Sequence, residues 1–131
     1  MDVYKCDICK RTSEELGNGA GVQTCCGQPM RMLDPGTSDG AQEKHVPVVA
    51  VDGNRVIVKV GEVEHPSTPE HYIEWIAIQS TNTTQRRELR PGDVPRAEFV
   101  LAEGEKLVAV YEYCNLHGLW KAEPKSDLPV M

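Results

Sequence analysis

A cysteine and a histidine lie close together in one short stretch, EYCNLHGLW, residues 112–120. Cys114 is the only cysteine after residue 26, and His117 is one of four histidines in the 131-residue chain. A C-x2-H pair can be half of a zinc knuckle, a Cys–His nucleophile and base, or part of an open metal site. The spacing favours a metal site. A Cys114 nucleophile would need a third residue to orient its base, and Asn115 is the nearest candidate. The sequence gives no indication of a substrate pocket.

Four more cysteines lie within the first 26 residues. Cys6 and Cys9 form C-x2-C, a common chelate in which one tight loop supplies two thiolates. Cys25 and Cys26 are adjacent, and adjacent side chains of an extended strand point to opposite faces. We therefore expect a bend in the backbone and a distorted tetrahedron if both cysteines bind one ion.

Four thiolates suit zinc or mononuclear iron, and the alternative is a labile disulfide pair. If four protein ligands close the shell, no position is left for a substrate. A metal site at these cysteines would therefore be structural or would transfer electrons.

All four histidines fall at strand starts or in loops of the second part of the chain. They are His45, His65, His71 and His117. Strand ends of a β-sandwich cluster at two poles, so these four side chains and Cys114 could converge on one ion. Five ligands exceed the four that structural zinc prefers. Four equatorial imidazoles with an axial thiolate leave one octahedral position open, which suits iron and the reduction of a small oxygen species.

Composition limits the classes of function that are open to the chain. The formal net charge of -6 argues against a broad surface for nucleic acid or an anionic membrane. No apolar run approaches the roughly 20 residues that span a bilayer, and MDVYKCDICK lacks the apolar segment of a signal peptide. An odd number of cysteines cannot be fully paired in disulfides, which favours a reducing compartment. We expect a soluble, cytoplasmic protein.

The sequence divides into a cysteine-rich part, residues 1–37, and a β-rich part, residues 38–131, with Thr37–Gly40 as the linker. The first part has no apolar run long enough for a core, and a piece this small usually needs a metal. The second part contains about seven segments with strand character and no convincing helix. The segments are HVPVVAV, NRVIVKV, HYIEWIAIQS, RRELR, RAEFVLA, KLVAVYEYC and GLWKAE. This series predicts a β-sandwich, with Asp52-Gly53 as a two-residue type I′ hairpin turn.

These motifs together resemble desulfoferrodoxin, the two-iron class of superoxide reductase, over nearly the whole chain. YKCDICK and TCCGQPM resemble the desulforedoxin-like module of that family, and DGAQEKHVPVV resembles its Glu-Lys-His loop. HPSTPEHYIEWI and YEYCNLHGLWKAE are similar to its two remaining ligand segments.

The resemblance implies two irons per chain. Centre I would be a rubredoxin-like iron held by Cys6, Cys9, Cys25 and Cys26. Centre II would have an axial thiolate and four equatorial imidazoles, from Cys114 and from His45, His65, His71 and His117. The implied fold is a desulforedoxin-like module, residues 1–37, joined to a seven-stranded immunoglobulin-like sandwich, residues 38–131, in a homodimer.

The activity implied by the resemblance is the reduction of superoxide to hydrogen peroxide, with one electron and two protons and without release of dioxygen. Reduced rubredoxin would supply the electrons, and the result would be detoxification of superoxide. Lys44 would draw the superoxide anion toward iron, and Glu43 would occupy the sixth position of the oxidised iron. The rival interpretation is a non-catalytic metalloprotein, either an electron-transfer protein or a zinc-stabilised binding module.

Overall fold

The computed structural model describes residues 1–17, 19–37, 40 and 42–124, and the chain divides into two compact units, Met1–Asp34 and Pro35–Met131. In these residues the strands account for most of the regular structure, which confirms the mainly β class predicted from sequence. No helix in the described ranges has the length and apolar character that crossing a membrane requires.

The described residues of the first unit form five short strands. They are β1 (Asp2–Lys5), β2 (Thr12–Glu15), β3 (Thr24–Cys25), β4 (Gln28–Pro29) and β5 (Arg31–Met32). One antiparallel sheet has the order β2-β1-β5, and β3 and β4 form a separate hairpin. Among its described apolar side chains only Val3 and Cys6 are buried, so this unit lacks a hydrophobic core of its own.

The second unit contains the seven strands that the sequence predicted. They are β6 (Pro47–Asp52), β7 (Arg55–Val60), β8 (Ile73–Ser80), β9 (Thr84–Glu88), β10 (Arg96–Val100), β11 (Leu107–Cys114) and β12 (Gly118–Ala122). They form a three-stranded sheet, β10-β7-β6, and a four-stranded sheet, β12-β11-β8-β9. Side chains from both sheets, among them Val58 of β7 and Ile76 of β8, share one buried apolar cluster, so the sheets pack face to face.

The first hairpin of the sandwich lies where the sequence predicted it, but its turn is shifted by one residue. Asp52 pairs directly with Arg55, so the two turn residues are Gly53 and Asn54. Gly53 has a φ of 59°, and Asn54 is not among the residues with positive φ. Positive φ at the first turn position alone is typical of type II′ and not of the predicted type I′, and Gly fits that position because it lacks a Cβ.

A single helical turn, α1 (Gln42–His45), precedes β6. Four residues are too few to show a helical period, which is why the sequence pattern did not predict the turn. The N–H of Val46 donates to the carbonyl of Gln42 at 2.9 Å, and the N–H of Gly61 donates to the carbonyl of Val46 at 3.3 Å. These bonds hold the end of α1 beside the end of β7.

Candidate metal centres

The β3–β4 hairpin explains how two adjacent cysteines can face one ion. Cys25 pairs with Gln28, so Cys26 and Gly27 are the two turn residues. Their φ values are 54° and 74°, the positive pair that defines a type I′ turn. A non-glycine residue rarely adopts this conformation, and here it rotates the Cys26 side chain away from the alternation of an extended strand. This is the bend that the sequence predicted at the adjacent pair.

The four sulfurs of the first unit are spaced for one ion. All four Sγ atoms lie within 4.8 Å of one another. The Sγ atoms of Cys9 and Cys25 are 3.6 Å apart, and those of Cys25 and Cys26 are 3.9 Å apart. Metal–sulfur bonds of about 2.3 Å give a tetrahedral edge of about 3.8 Å, so the donor set fits a tetrahedral ion. All five cysteines are free thiols, so the disulfide alternative is not observed.

The electrostatics of this sulfur cluster favour a cation. The N–H of Cys9 points at the sulfur of Cys6 at 3.5 Å and lowers the pKa of that thiol to about 6. Hydrogen bonding with Cys9, then with Cys6 and Cys25, raises the pKa of Cys26 to about 12. Four thiolates in such close contact repel one another, so a bound cation is needed to hold all of them ionised.

The four imidazoles of the second unit form a square. Its sides are ring-centroid distances of 4.7 Å (His45–His65), 4.6 Å (His65–His71), 5.1 Å (His71–His117) and 4.9 Å (His45–His117). Neighbouring rings are nearly perpendicular, whereas His45 and His71 lie across the diagonal at 6.2 Å with planes 27° apart. The four rings surround a common centre, although His117 is not among the residues whose donor atoms all lie within 4.8 Å of one another.

The donor atoms of this group converge as well. Nitrogens of His45, His65 and His71 and the sulfur of Cys114 lie within 4.8 Å of one another, and His45 Nε2 is 3.2 Å from His65 Nε2. His71 Nε2 is buried and has no hydrogen-bond partner. A buried nitrogen without a partner is costly unless it binds something, so the site fits a metal ion.

Contacts behind the imidazoles fix their orientation. His65 Nδ1 lies 2.7 Å from the carbonyl oxygen of Pro66, to which it donates, so Nε2 is left unprotonated toward the centre. Trp120 stacks on His45 at 5.0 Å and donates from Nε1 to the carbonyl of His117 at 3.0 Å. Trp120 therefore both packs against His45 and positions the backbone of His117.

Burial keeps the imidazoles in the neutral form that binds metals. Burial lowers the pKa of His65 to about 4, although its bond to Pro66 opposes the change. Burial also lowers the pKa of His71, and the charges of His117 and Lys44 lower it further. Both rings are therefore neutral and available as ligands at pH 7.

Cys114 ends β11 and is fully buried. Burial raises the pKa of its thiol, while the backbone N–H groups of His117 and Leu116 donate to the sulfur and oppose the increase. Such hydrogen bonds stabilise a thiolate ligand and tune its electron donation to a metal.

Asn115 joins two of the ligand segments, a role that the sequence did not reveal. Its Oδ1 accepts from the N–H of Tyr72 at 3.0 Å, and its Nδ2 donates to the carbonyl of Glu70 at 3.0 Å. These bonds clamp the residues on both sides of His71 to the turn that follows Cys114. Amide side chains commonly bond backbone in this way, but a partner 43 positions away cannot be read from spacing.

Two charged residues beside the site, Glu43 and Lys44, were predicted from sequence, and a third, Glu112, was not. Lys44 lies close enough to the imidazoles for its charge to lower the pKa of His71. The side chain of Glu43 lies outside the described part of the structure. Glu112 is fully buried with neither carboxylate oxygen hydrogen-bonded, and burial raises its pKa well above the ordinary value. Its position two residues before Cys114 places it on the same strand face, a signal that alternation could have given.

Comparison with known proteins agrees with this geometry. The desulfoferrodoxin family model matches residues 37–123, and the model of the desulfoferrodoxin N-terminal domain matches residues 1–33. A desulfoferrodoxin from Nitratidesulfovibrio vulgaris is 48% identical over 93% of this chain and 95% of its own length.

Two solved structures are similar as well. The superoxide reductase from Treponema pallidum aligns with a TM-score of 0.76 and 36% identity, over 92% of this chain and 98% of that one. The one-iron superoxide reductase from Giardia intestinalis aligns with a TM-score of 0.57 and 35% identity, over 63% of this chain and 98% of its own. The two family models together match nearly all of the sequence, and the structure brings together both groups of candidate metal ligands. The chain therefore belongs to the desulfoferrodoxin family.

Proposed function

We propose that the chain is a superoxide reductase, which reduces superoxide to hydrogen peroxide with one electron and two protons and releases no dioxygen. The observation that carries the proposal is the square of four imidazoles with the buried sulfur of Cys114 within 4.8 Å of nitrogens of three of them. The two solved structures with similar folds are superoxide reductases.

The proposed ligands of the catalytic iron are Cys114 with His45, His65, His71 and His117. Ferrous iron, when bound, would supply the electron, and the Cys114 thiolate would donate electron density to it. His45 and His65 are each only 2% exposed, whereas His71 and His117 are half-buried. We therefore place the approach of solvent and of a small anion at the edge of the square that His71 and His117 form.

The protein's own groups would bind and orient the substrate. Lys44 is half-buried beside His71 and carries a positive charge that attracts the superoxide anion on a chain of net negative charge. We assign Glu43 as a further ligand that the oxidised iron would take, as the family resemblance implies. The hydrogen bonds from Leu116 and His117 favour the thiolate form of Cys114 and oppose the increase in its pKa that burial causes.

We assign centre I to the four cysteines of the first unit, where an iron with a closed shell transfers electrons and does not bind substrate. In this proposal residues 1–37 form the desulforedoxin-like domain and residues 38–131 form the superoxide reductase domain. A rubredoxin-type protein supplies the electrons, and the functional form is a homodimer.

Metal analysis, a visible spectrum and a superoxide assay test the proposal together. We expect two irons per chain, thiolate-to-iron charge-transfer bands and rapid oxidation of the ferrous protein by superoxide in anaerobic stopped flow. Cys114→Ser should lose the centre II band and the reaction but keep the spectrum of centre I. The matched variant Cys9→Ser should do the reverse. A colourless zinc protein that does not react with superoxide would instead support the non-catalytic metalloprotein.

A further inference from the structure

The five thiols of the chain differ in their access to solvent. Cys9 and Cys26 are exposed, and Cys25 is half-buried. Cys6 is only 3% exposed, and Cys114 of the second unit is fully buried. Small oxidants attack cysteine sulfurs that are both ionised and accessible, and a bound cation keeps its sulfur ligands ionised. Cys9 and Cys26 are therefore the sulfurs most open to oxidation.

Cys9 has a second sulfur within reach. Its Sγ lies 3.6 Å from the Sγ of Cys25, so a short movement would join them. A thiol oxidised to a sulfenic acid condenses with a neighbouring thiol to form a disulfide. An accessible sulfur next to a second sulfur is the arrangement found in redox-sensing cysteines.

The adjacent cysteines are poorly suited to a bond between their own sulfurs. No cis peptide bond is present in the described residues, and across a trans peptide the Cα atoms of neighbours are about 3.8 Å apart. A relaxed disulfide spans about 4.4–6.8 Å between Cα atoms. Oxidation is therefore directed across the cluster, from the loop of Cys9 to the β3–β4 hairpin that carries Cys25.

A disulfide across the cluster would remove two of the four ligands of the ion. The first unit has little else to hold it, because Val3 and Cys6 are the only buried apolar side chains among its described residues. Binding of the ion contributes directly to the folding free energy of such a unit. Oxidation would therefore release the ion and unfold this unit, while the sandwich with Cys114 stays intact.

We propose that Cys9 is a peroxide-sensitive modification site, at which hydrogen peroxide oxidises the sulfur, Cys25 closes a disulfide with it, and the ion of the first unit is released. Hydrogen peroxide is the product of the superoxide reaction proposed above, so the source of the oxidant rests on the proposed function. The product of the second unit would thus switch off the metal centre of the first.

The reaction balances with peroxide as the only oxidant. The Cys9 sulfur attacks peroxide, the O–O bond breaks, an S–O bond forms and one hydroxide leaves. The Cys25 sulfur then displaces a second hydroxide as the S–S bond forms. The two sulfurs lose two electrons, peroxide gains them, and two protons convert the hydroxides to water. The metal ion leaves in its original oxidation state.

The first test adds hydrogen peroxide to the iron-loaded protein under anaerobic conditions, with a chromogenic iron chelator present. One of the two irons per chain should be released with loss of the centre I absorption. The centre II band should persist, because Cys114 is fully buried. Catalase added before the peroxide should prevent the release. Retention of both irons, or loss of the centre II iron first, would overturn the proposal.

Peptide mapping identifies the bond that forms. Tryptic digestion places Cys6 and Cys9 in one peptide, CDICK, and Cys25 and Cys26 in another. After the remaining thiols are blocked with iodoacetamide, these two peptides should be cross-linked, and fragmentation should place the bond between Cys9 and Cys25. A bond within either peptide, or sulfinic acid in place of a disulfide, would contradict the assigned pair.

The protein with zinc at the first site distinguishes attack on sulfur from reactions driven by iron. Zinc has no redox chemistry, so peroxide should form the same disulfide and release the zinc. Dithiothreitol with fresh metal should then restore the hydrogen-exchange protection of β1 and β2. Oxidation that requires iron, or a loss of protection that dithiothreitol and metal do not reverse, would exclude a reversible switch based on the exposed sulfur.

A final comparison separates this inference from the proposed function. Superoxide supplied to the reduced protein should produce the same disulfide, and catalase should prevent it. If superoxide yields neither peroxide nor disulfide although added peroxide yields the disulfide, the proposed function is wrong and the modification site stands. If superoxide is reduced normally but added peroxide leaves the four thiols and their ion intact, only the modification site is wrong.

Discussion

At the scale of single residues, Lys44 places a positive charge near the imidazole square. Replacement by Ala should slow the reaction with superoxide roughly tenfold at low ionic strength and flatten its salt dependence, because the charge attracts the anion. The resting spectrum of centre II should barely change, since Lys44 is not a proposed ligand. Stopped-flow mixing with superoxide over a range of salt concentrations measures both effects.

Lys106→Ala is a suitable control for Lys44, because Lys106 is exposed and lies next to Leu107, at the end of β11 opposite to Cys114. It should keep the wild-type rate and salt dependence. An unaltered rate at low salt in Lys44→Ala would exclude the lysine from the mechanism.

Asn115 is the second residue whose role can be tested alone, because it holds the His71 segment against the turn that follows Cys114. Asn115→Ala removes both side-chain hydrogen bonds and should cost about 1–3 kcal/mol of stability and weaken iron binding at centre II. Asn115→Asp keeps the acceptor for Tyr72 N–H and should have a smaller effect. Iron content after dialysis against a chelator measures the loss, and equal retention in all three proteins would contradict this positioning role.

At the scale of elements, the strands were predictable from sequence because alternating and β-branched segments such as RVIVKV coincide with buried strands. The two-residue loop between Asp52 and Arg55 was predicted with the wrong turn residues, because Asp52-Gly53 and Gly53-Asn54 are both acceptable turn pairs. The α1 turn was missed because it is stabilised by contacts with β7 and not by its own pattern. The spacing of the histidines suggested a common site. The square arrangement of their rings could not be predicted, because it also depends on contacts between elements.

Gly61 shows how an element end shapes the site. Its φ is 82°, and a Cβ there would lie 2.5 Å from the carbonyl oxygen of Val63 and 2.6 Å from that of Lys44. Gly61→Ala should therefore displace the end of α1, which carries His45, and cost at least about 3 kcal/mol. We expect a lower melting temperature together with a reduced content of centre II iron.

Gly53→Ala is the matched control, because Gly53 also has a positive φ but a Cβ there would meet nothing within 4 Å. It should cost only about 1 kcal/mol, through the strained φ, and keep a full complement of iron. If both variants lose the same stability and the same iron, the close approach at Gly61 does not hold α1 in place.

Two turns at the other end of the sandwich are joined through Glu105, which makes stability there depend on pH. Ser80 donates to the Glu105 carboxylate, and Thr83 Oγ1 donates to it at 2.8 Å, so these bonds lower the pKa of Glu105. A folded pKa below the unfolded value of about 4.3 means that the stabilisation is complete above that value. It is then lost as pH falls through the folded pKa.

Glu105→Gln should accordingly lower the melting temperature at pH 7, and the gap to the wild type should close as pH falls below about 4. Melting curves of both proteins at several pH values measure this gap. Glu103→Gln, which alters an exposed carboxylate in the same loop, should follow the wild type throughout. If the difference in melting temperature between Glu105→Gln and the wild type stayed constant with pH, the ionisation of Glu105 would not contribute to stability.

At the scale of the whole molecule, the two units depend on metal to different degrees. Among the described residues of Met1–Asp34 only Val3 and Cys6 are buried apolar side chains, whereas the sandwich has a large apolar cluster drawn from both sheets. A unit of this size without a core owes its folding free energy mainly to the ion bound by its four thiolates. Removal of the metal should therefore unfold the first unit and leave the second folded.

Hydrogen exchange after anaerobic chelation tests this difference. We expect amides of β1 and β2 to lose protection by orders of magnitude, while those of β8 and β11 remain protected by the buried core. Both tryptophans, Trp75 and Trp120, lie in the second unit, so their fluorescence does not report on unfolding of the first unit. Cys9→Ser should reproduce the loss in the first unit without a chelator, because one missing thiolate opens the ligand shell. Retained protection of β1 and β2 in the metal-free protein would show that the first unit folds without its ion. The four cysteines would then not be needed for its folding.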